Sequence, residues 1–349
     1  MCSLWSIIID CKELIVKDDN YMNKLILSLI VFVFGISLVG SAQDIRFSQF
    51  YANKLYLNPA LAGSSDHGNI SLNYRNQWPN LDLPFVSYSF SYDNFVPSIN
   101  GGLGLLVMQD DQGNGAIKTT TFSGAYSFYL RVNNDLVFRP AIQAALMQKK
   151  LELKGLIFPD QIDPIYGNIY EHFGAGDPNN RSWNRLDLSL GVIAYYKNYY
   201  FGAAASHVNQ PNLSFDDLEG QLNAKYTFHA GAEFNLSGRL QGNGLVLAPA
   251  LLFQKQGEFT QMNYGMYVSK SSLVFGFWFN QNFQLNYDAV ILMAGVVTDR
   301  FKLAYSYDYT ITQLVQTNTG AHELSFSFPL VFEKRKRRRR PNRVRHPQF

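Results

Sequence analysis

The amino-acid sequence predicts an all-β protein, namely a transmembrane antiparallel β-barrel of the outer-membrane type with about fourteen strands. Charged residues make up 16% of the chain, compared with about 25% in an average soluble domain. The mean hydropathy is nevertheless only −0.12, which excludes a bundle of membrane helices. Apolar and polar residues alternate through much of the chain, as they do in strands that face lipid on one side and a polar lumen on the other.

Residues 86–93 illustrate this alternation. Val, Tyr, Phe and Tyr occupy the even positions, and Ser, Ser, Ser and Asp occupy the odd positions. A soluble β-sandwich would also alternate, but Lys and Glu usually coat its solvent face. Small Gly, Ser and Asn side chains on the polar face, with aromatic residues near strand ends, favour a barrel in a bilayer.

Alternation and intervening turn residues predict fourteen strands. Most span about 8 to 13 residues, which suits tilted strands that cross a bilayer. Long loops tend to alternate with short turns, and an even strand count returns the chain to its starting side. We therefore expect the long loops outside the cell and both mature termini in the periplasm. The predicted strands are residues 69–76, 86–93, 102–110, 118–131, 135–149, 186–196, 199–207, 224–236, 245–255, 259–269, 272–281, 287–297, 300–309 and 320–332.

The N-terminal region predicts export. Residues 25–39 form a mainly apolar run after Lys24, and this run is too short to span a bilayer comfortably, which takes about 20 residues. A small residue, Ala42, follows the run. This pattern is typical of a signal peptide, so we predict one over residues 22–42, cleaved before Gln43, in preference to a membrane anchor.

Residues 1–21 do not fit a signal peptide, because six of them are charged. We predict that they are a mis-assigned upstream extension and that Met22 is the true start. Both cysteines, Cys2 and Cys11, lie in this extension. The mature chain is therefore expected to hold neither a disulfide nor a thiolate metal site.

The mature chain divides into three predicted parts. Residues 43–68 form a periplasmic N-terminal segment, residues 69–332 form the barrel, and residues 333–349 form a basic periplasmic tail. The tail carries nine Lys or Arg and one acid, whereas residues 43–332 carry a net charge of −4. Behind a signal peptide the tail fits a nucleic-acid arm poorly, so we expect no nucleic-acid partner; the tail is either disordered or in contact with an acidic partner protein or anionic lipid. The residues available for such contacts are Lys334, Arg335, Lys336, Arg337, Arg338, Arg339 and Arg340.

No metal or catalytic motif is apparent. The loop 110–115 superficially resembles a calcium loop but lacks its spaced acids and closing Glu, so a solvated hairpin loop is preferred. The six histidines have no metal-ligand spacing. His207 and His322 have no nucleophile motif nearby, which favours structural roles and leaves an outer-membrane hydrolase as a minor alternative. We predict no cofactor, metal or catalytic residue.

Several motifs together resemble those of one family. Residues 43–51 (QDIRFSQFY), 56–63 (YLNPALAG) and 73–78 (NYRNQW) are similar to the opening of the PorP/SprF family of Bacteroidetes type IX secretion membrane proteins. The basic tail departs from the family pattern. Further similar stretches, which extend the resemblance over nearly the whole mature chain, are residues 102–104, 205–211, 305–309 and 320–324.

The resemblance implies a non-enzymatic outer-membrane component of type IX secretion. Such a component would support secretion or cell-surface attachment of large adhesin-like proteins, in gliding or non-gliding bacteria. The implied partners are other secretion components, such as a periplasmic ring or lipoproteins, together with a secreted substrate and outer-membrane lipid. A passive diffusion channel is the main alternative, because sequence does not show whether the lumen is open or whether the loop 150–185 plugs it.

The motif residues are candidates for structural or partner-binding roles. Asn58-Pro59-Ala60 fits a turn that directs the N-terminal segment into the first strand, because Pro fixes φ and Asn favours turns. Arg75 and Trp78 are expected to be a lumen anchor and an interface anchor. The complete set is Phe47, Ser48, Gln49, Asn58, Pro59, Ala60, Gly63, Tyr74, Arg75, Gln77, Trp78, His207, Tyr307, Asp308, His322 and Glu323.

Overall fold

Fourteen strands form one closed antiparallel barrel, which confirms the predicted fold class. The computed structural model describes residues 44–65, 67–81, 84–151, 162–163, 167–168, 181–213, 220–236, 244–282, 287–311 and 320–330. Each strand pairs with its neighbours in sequence, and the last strand pairs with the first to close the ring. The strands are β1 (Gly68–Gln77), β2 (Phe85–Val96), β3 (Gly101–Gln112), β4 (Ile117–Phe128), β5 (Leu136–Leu151), β6 (Arg181–Tyr196), β7 (Tyr199–Ser206), β8 (Lys225–Ala232), β9 (Leu245–Gln256), β10 (Phe259–Lys270), β11 (Leu273–Asn282), β12 (Tyr287–Val297), β13 (Lys302–Thr310) and β14 (Ala321–Leu330).

The remaining elements are short. Among the described residues, no helix is long and apolar enough to cross a bilayer. The α-helix α1 (Lys54–Leu57) is followed by the 3-10 helix Pro59–Leu61, and a second 3-10 helix connects β2 to β3. The two-residue strands Leu130–Arg131 and Phe234–Asn235 pair with β5 and β9. The second 3-10 helix is Pro97–Ile99, and the other short elements are the paired strands Ile162–Asp163 and Gly167–Asn168.

Most predicted strands differ from the structure by one to three residues at an end, and three differ by a break or by more residues. The predicted strand 118–131 breaks at Tyr129, whose N–H donates to Asn100 instead of to the neighbouring strand. The predicted strand 224–236 breaks at Glu233, whose N–H donates to Asn198. Strand β6 begins at Arg181, five residues before the predicted start, because β5 continues to Leu151 and the two strands pair to their ends.

The barrel wall is polar inside and apolar outside. In β1 the side chains of Ser71, Asn73 and Arg75 are each only 4% exposed, whereas Leu72 and Tyr74 are 43% and 38% exposed. A soluble protein would bury the apolar face, because removing apolar surface from water drives folding. This reversed pattern is expected when lipid, rather than water, surrounds the wall.

The lumen contains the chain's own N-terminal segment, residues 44–65, which we call the plug. Its apolar residues pack against inward-facing wall residues such as Trp278 and Ile193. The sequence predicts a periplasmic N-terminal segment over residues 43–68, and the structure packs residues 44–65 of it inside the lumen. The physical reason is the apolar content of the segment: Tyr51 and Leu61 are fully buried only because the lumen encloses them.

The two ends of the barrel have different connections. At the end that we call the loop end, the longest connections are residues 152–180 and 207–224. At the opposite end, which we call the turn end, β6 joins β7 through residues 197–198 and β10 joins β11 through residues 271–272. The plug runs from the loop end to the turn end, where β1 begins.

Candidate functional site

A buried ionic cluster lies on the loop-end half of the lumen wall. Arg75 of β1 contacts Asp308 of β13 at 2.8 Å and Glu323 of β14 at 3.1 Å. Arg75 and Glu323 are direct cross-strand partners, so the strand register itself brings the opposite charges together. Glu323 is 0% exposed. Burial of an unpaired carboxylate would be costly, so the cluster is stable only while its charges remain paired.

The plug binds this cluster through Ser48 and Gln49. The backbone N–H groups of these two residues donate to the Glu323 carboxylate at 2.7 and 3.1 Å. The Ser48 hydroxyl lies between Asp308 and Arg75 and bonds to both. Charge-assisted hydrogen bonds of this kind are stronger than neutral ones, so the cluster holds the plug as well as the wall.

The side chain of Gln49 extends the attachment. Its amide nitrogen donates to the Ser306 hydroxyl and to the Glu323 carbonyl, both at 3.1 Å. Its amide oxygen accepts a hydrogen bond from Ser325. One side chain therefore joins the plug to both β13 and β14, the strands next to the closing seam.

The Asn58-Pro59-Ala60 motif forms the turn that the sequence predicts, but the turn is packed against the wall. The Asn58 side chain accepts the Ala60 N–H at 2.9 Å and begins the 3-10 helix, with Pro at its first position. The Asn58 amide also donates to the carbonyls of Val192 and Ala203 at 3.1 and 3.2 Å. The same amide nitrogen, Nδ2, lies 3.1 Å from Nε2 of the His229 ring.

The turn fits against the wall because residue 191 is glycine. A Cβ atom at Gly191 would lie 2.2 Å from Asn58 Oδ1 and 2.8 Å from Pro59 Cγ. We expect Gly191→Ala to displace the turn and to lower the free energy of unfolding by about 1–3 kcal/mol, as overpacking does. Hydrogen exchange of peptides covering residues 55–61 measures the displacement. The control is Gly124→Ala on the outer wall, where the nearest atom to the added Cβ is 4.0 Å away. Equal exchange in the two variants would contradict close packing of the turn against Gly191.

At the turn end, the plug is fixed by its backbone. Gly63 adopts φ +63°, a left-handed conformation that favours glycine, and its N–H donates to Asp93 at 2.9 Å. The Ala62 carbonyl accepts hydrogen bonds from Ser127 at 2.8 Å and from Arg139. These contacts anchor the plug directly before β1.

Aromatic side chains hold the middle of the plug. The Tyr200 hydroxyl donates to the Tyr51 hydroxyl at 2.7 Å. The ring of Phe50 meets the ring of Trp278 edge-on, with centroids 4.9 Å apart. Such pairs add about 0.5–1.5 kcal/mol beyond the area that they bury. Polar contacts therefore fix the two ends of the plug, and aromatic packing fixes its centre.

The first described residue, Asp44, is tied to the loop end. Its carboxylate lies 2.8 Å from His207 Nε2 and 3.4 Å from Lys225 Nζ. Its backbone N–H donates to Gln256 at 3.1 Å. The other ring nitrogen, Nδ1 of His207, contacts Asp187 at 2.9 Å. Both nitrogens of His207 thus face carboxylates, so in this geometry neither is available to take a proton from a serine hydroxyl.

The charges around Asp44 perturb its protonation and that of His207. Burial disfavours the imidazolium, but Asp44 and Asp187 outweigh burial and raise the pKa of His207 to about 9. Burial likewise raises the pKa of the Asp44 carboxyl, yet Lys225 and His207 outweigh it and hold that pKa well below its usual range. The pair is therefore charged at neutral pH.

We expect the Asp44 attachment to weaken in alkali. Because the folded pKa of His207 exceeds its unfolded value of about 6.5, the attachment is complete below that pH and is lost as pH rises through about 9. A spin label at position 43 should be immobile at pH 7 and mobile at pH 10. His207→Gln should make it mobile at both values, and an immobile label in the unsubstituted chain at pH 10 would refute the expectation.

Except for Phe47, which belongs to the plug, the other predicted site residues lie apart from the plug contacts. Tyr74 faces outward and packs on Tyr88. His322 also packs on the outer wall, where it bonds to the Tyr305 hydroxyl at 2.7 Å and contacts the ring of Tyr307. The remaining motif residues are Phe47, whose ring meets Tyr56 edge-on, Gln77 at the end of β1, and Trp78, which has φ +57° and packs on Phe85. The basic residues 334–340 lie outside the described residues.

Sequence reasoning missed several charged residues that hold the plug, one of them through His207 and the others directly. Asp93, Arg139, Asp187 and Lys225 are all on inward positions of wall strands and are nearly buried. The sequence did contain a signal for them, because each lies at a position of an alternating strand that shares its face with polar residues. A charge on that phase faces a lumen, and a charge inside a filled lumen requires a partner.

Three solved structures illustrate the fold similarity. The Ralstonia pickettii toluene transporter TbuX matches with 10% identity and a TM-score of 0.47, over 79% of this chain and 93% of that one. The P. putida toluene transporter TodX matches with 12% identity and a TM-score of 0.45, over 79% and 93%. The Acinetobacter baumannii outer membrane protein Omp33 matches with 9% identity and a TM-score of 0.41, over 77% and 100%. These identities and scores carry no functional argument, and the comparison with curated proteins gives no match.

The closed wall with its apolar outer surface and its lumen plug defines a class: an outer-membrane β-barrel closed by its own N-terminal segment. The model of one family, the type IX secretion system membrane protein PorP/SprF, matches residues 39–328. This match covers most of the chain. The chain therefore belongs to the PorP/SprF family, which confirms the resemblance seen in its motifs.

Proposed function

We propose that the chain is a non-enzymatic component of type IX secretion that supports secretion or cell-surface attachment of large substrate proteins. It acts as a closed barrel to which partners bind, and proteins do not pass through its lumen. The observation that carries this proposal is the plug, which is attached to the wall at the loop end, in the middle and at the turn end. Family membership supplies the secretion context.

The occupied lumen directs partner binding to the two ends of the barrel. The loop end offers the long connections and the start of the plug, whereas the turn end offers short turns and the end of β14, after which the sequence continues into the tail 333–349. We propose that the substrate binds at the loop end, outside the cell. Other secretion components, such as a periplasmic ring or lipoproteins, bind at the turn end, where the nine basic residues of the tail favour an acidic protein surface or anionic lipid.

Inactivation of the gene tests this function. We expect cells lacking the chain to lose the surface-exposed fraction of at least one type IX cargo protein, measured by protease shaving and mass spectrometry of intact cells. Restoring the full chain should restore that cargo, and restoring residues 1–332 tests the tail. Unchanged surface cargo, together with steady conductance of the purified chain in liposomes, would instead support a passive diffusion channel.

The plug also leads us to propose an extracellular mature N-terminus. Asp44 lies at the loop end, so a chain cleaved before Gln43 would begin at that mouth of the lumen. We expect a peptide tag inserted after position 43 to bind antibody on intact cells. The same tag after position 349 should bind only after the outer membrane is permeabilised. If the N-terminal tag also requires permeabilisation, both termini are periplasmic, as the strand count alone predicts.

A further inference from the structure

The outer wall contains an apolar depression on β3 to β6. Four outward positions lie side by side in the strand register: Leu105, Gly124, Ala144 and Leu188. The two central residues are small, and the flanking leucines are 58% and 42% exposed. Together with adjacent side chains they enclose about 660 Å³. The outer wall thus has a recess of a size that an acyl chain fills.

The recess is open above its glycine. A Cβ atom at Gly124 would meet only Leu105, at 4.0 Å. Ile142, which borders the recess toward the turn end, is 61% exposed. The lining is therefore apolar and faces away from the lumen, so its natural occupant is hydrocarbon from the bilayer.

Two lysines lie on the same outer face, closer to the loop end. Lys118 of β4 is the direct cross-strand partner of Lys150 of β5. Each is four residues from an exposed residue of its strand, Phe122 or Leu146, and so lies on the same outward face. Like charges in this position destabilise a sheet. Asp111 of β3 is opposite Lys118 on its other side, so it offsets one of the two charges. Among the described residues of this row two bases face one acid, so an anion that contacts both lysines would reduce the repulsion between them.

The lysine row and the recess are separated by the depth of one leaflet. Lys118 and Gly124 are six residues apart on one strand, or roughly 20 Å at the usual rise. A strand tilt of about 35–45° reduces this to roughly 15 Å of depth, which is half of the hydrocarbon core of about 30 Å. A lipid with its head group at the lysines would therefore bring its chain ends to the recess.

A second outer recess provides a comparison. It lies on β10 to β13, encloses about 940 Å³, and includes Phe277 and Ala294 in its lining. Toward the loop end, the corresponding outward positions on two of its strands are Met262 and Gln281. Met262 and Gln281 are cross-strand partners and are uncharged, so this pair lacks the positive charge of Lys118 and Lys150.

We propose that the recess on β3 to β6, together with Lys118 and Lys150, binds a phosphate-bearing glycolipid of the outer leaflet. The lysine ammonium groups bind its phosphate, and an acyl chain occupies the recess beside Gly124 and Ala144. This inference rests on the proposed function only for its orientation, in which the loop end faces the cell exterior. The bound lipid would fix the rotational position of the barrel in the membrane and would form part of the surface that partners meet.

Native mass spectrometry of the purified full chain tests the proposal. The probes are lipid A with two phosphates, the same lipid without phosphate, and phosphatidylglycerol. We expect one diphosphorylated lipid A to remain bound per chain, and at least ten-fold weaker retention for the double variant Lys118→Gln, Lys150→Gln. Gly124→Leu should also weaken retention because it fills the recess, whereas the matched control Ala294→Leu should not.

Three outcomes would overturn the proposal. Equal retention by the lysine variant, or equal retention of the unphosphorylated lipid, would remove the phosphate contact. Preferential retention of phosphatidylglycerol would assign the site to a phospholipid instead. Heat-dependent electrophoretic mobility shows that each variant is a folded barrel. Because these measurements use purified chain, they are independent of the cargo measurements that test the secretion role.

Discussion

Deletion of residues 44–63 is expected to convert a closed barrel into a steadily conducting channel. A barrel of about eight strands is just filled by its own side chains, and fourteen strands enclose a wider lumen. In this chain the plug fills that space. Its removal would leave the inward carboxylates, Ser and Asn side chains facing water, where they are readily solvated. We expect single-channel conductance in planar bilayers to rise at least ten-fold.

The control for this deletion is removal of residues 333–349. That variant keeps the plug and should conduct no better than the full chain. Circular dichroism and heat-dependent mobility show whether the plug-deleted wall is intact. If the full chain already conducts as strongly as the deletion, the plug does not close the lumen, and the diffusion-channel alternative gains support.

The second large effect is expected at Arg75. Arg75→Met leaves Glu323 and Asp308 buried without their cation, and removal of one partner from a buried ion pair typically costs about 3–5 kcal/mol. We expect the free energy of unfolding, measured by guanidinium denaturation of the barrel from lipid vesicles, to fall by that amount. The plug should also be released, because Ser48 and Gln49 bind the same carboxylate.

A triple variant separates charge from contact. Arg75→Met, Asp308→Asn and Glu323→Gln together remove every charge of the cluster but keep acceptors for the plug N–H groups, so most of the lost stability should return. Arg131→Met, at an exposed residue of the short strand Leu130–Arg131, should change the free energy of unfolding by less than about 0.5 kcal/mol. A single Arg75 variant within 1 kcal/mol of the unsubstituted chain would show that the cluster is not stabilising.

The wall of this protein could be predicted from sequence because the pattern that indicates it lies within short stretches of the chain. In β2 the even residues Tyr88 and Phe90 face lipid while Ser89 and Ser91 face the lumen. An alternation with a period of two residues is visible within a short stretch of sequence, and recognising it requires no knowledge of distant strands. The errors, such as the break at Tyr129, arise where a hydrogen bond to a turn replaces the ladder bond.

The plug could not be placed by the same reasoning. Ser48 and Glu323 are separated by 275 residues, and no local pattern specifies which wall atoms an irregular segment contacts. One signal was nevertheless available. A free periplasmic segment that contained Phe50, Tyr51, Leu55 and Leu61 would expose an unusually large apolar surface, so these residues indicate that the segment is enclosed.

The contacts of Ser48 and Gln49 also constrain the order of assembly. Both residues bond to β13 and β14, the strands made last, and β14 closes the ring against β1. A segment that spans the lumen cannot be threaded through a finished wall at low cost. The N-terminal segment must therefore be held inside the open sheet until the final seam forms. Contacts between such distant parts of a chain form slowly, so the last step of insertion should depend on a segment that belongs to no strand.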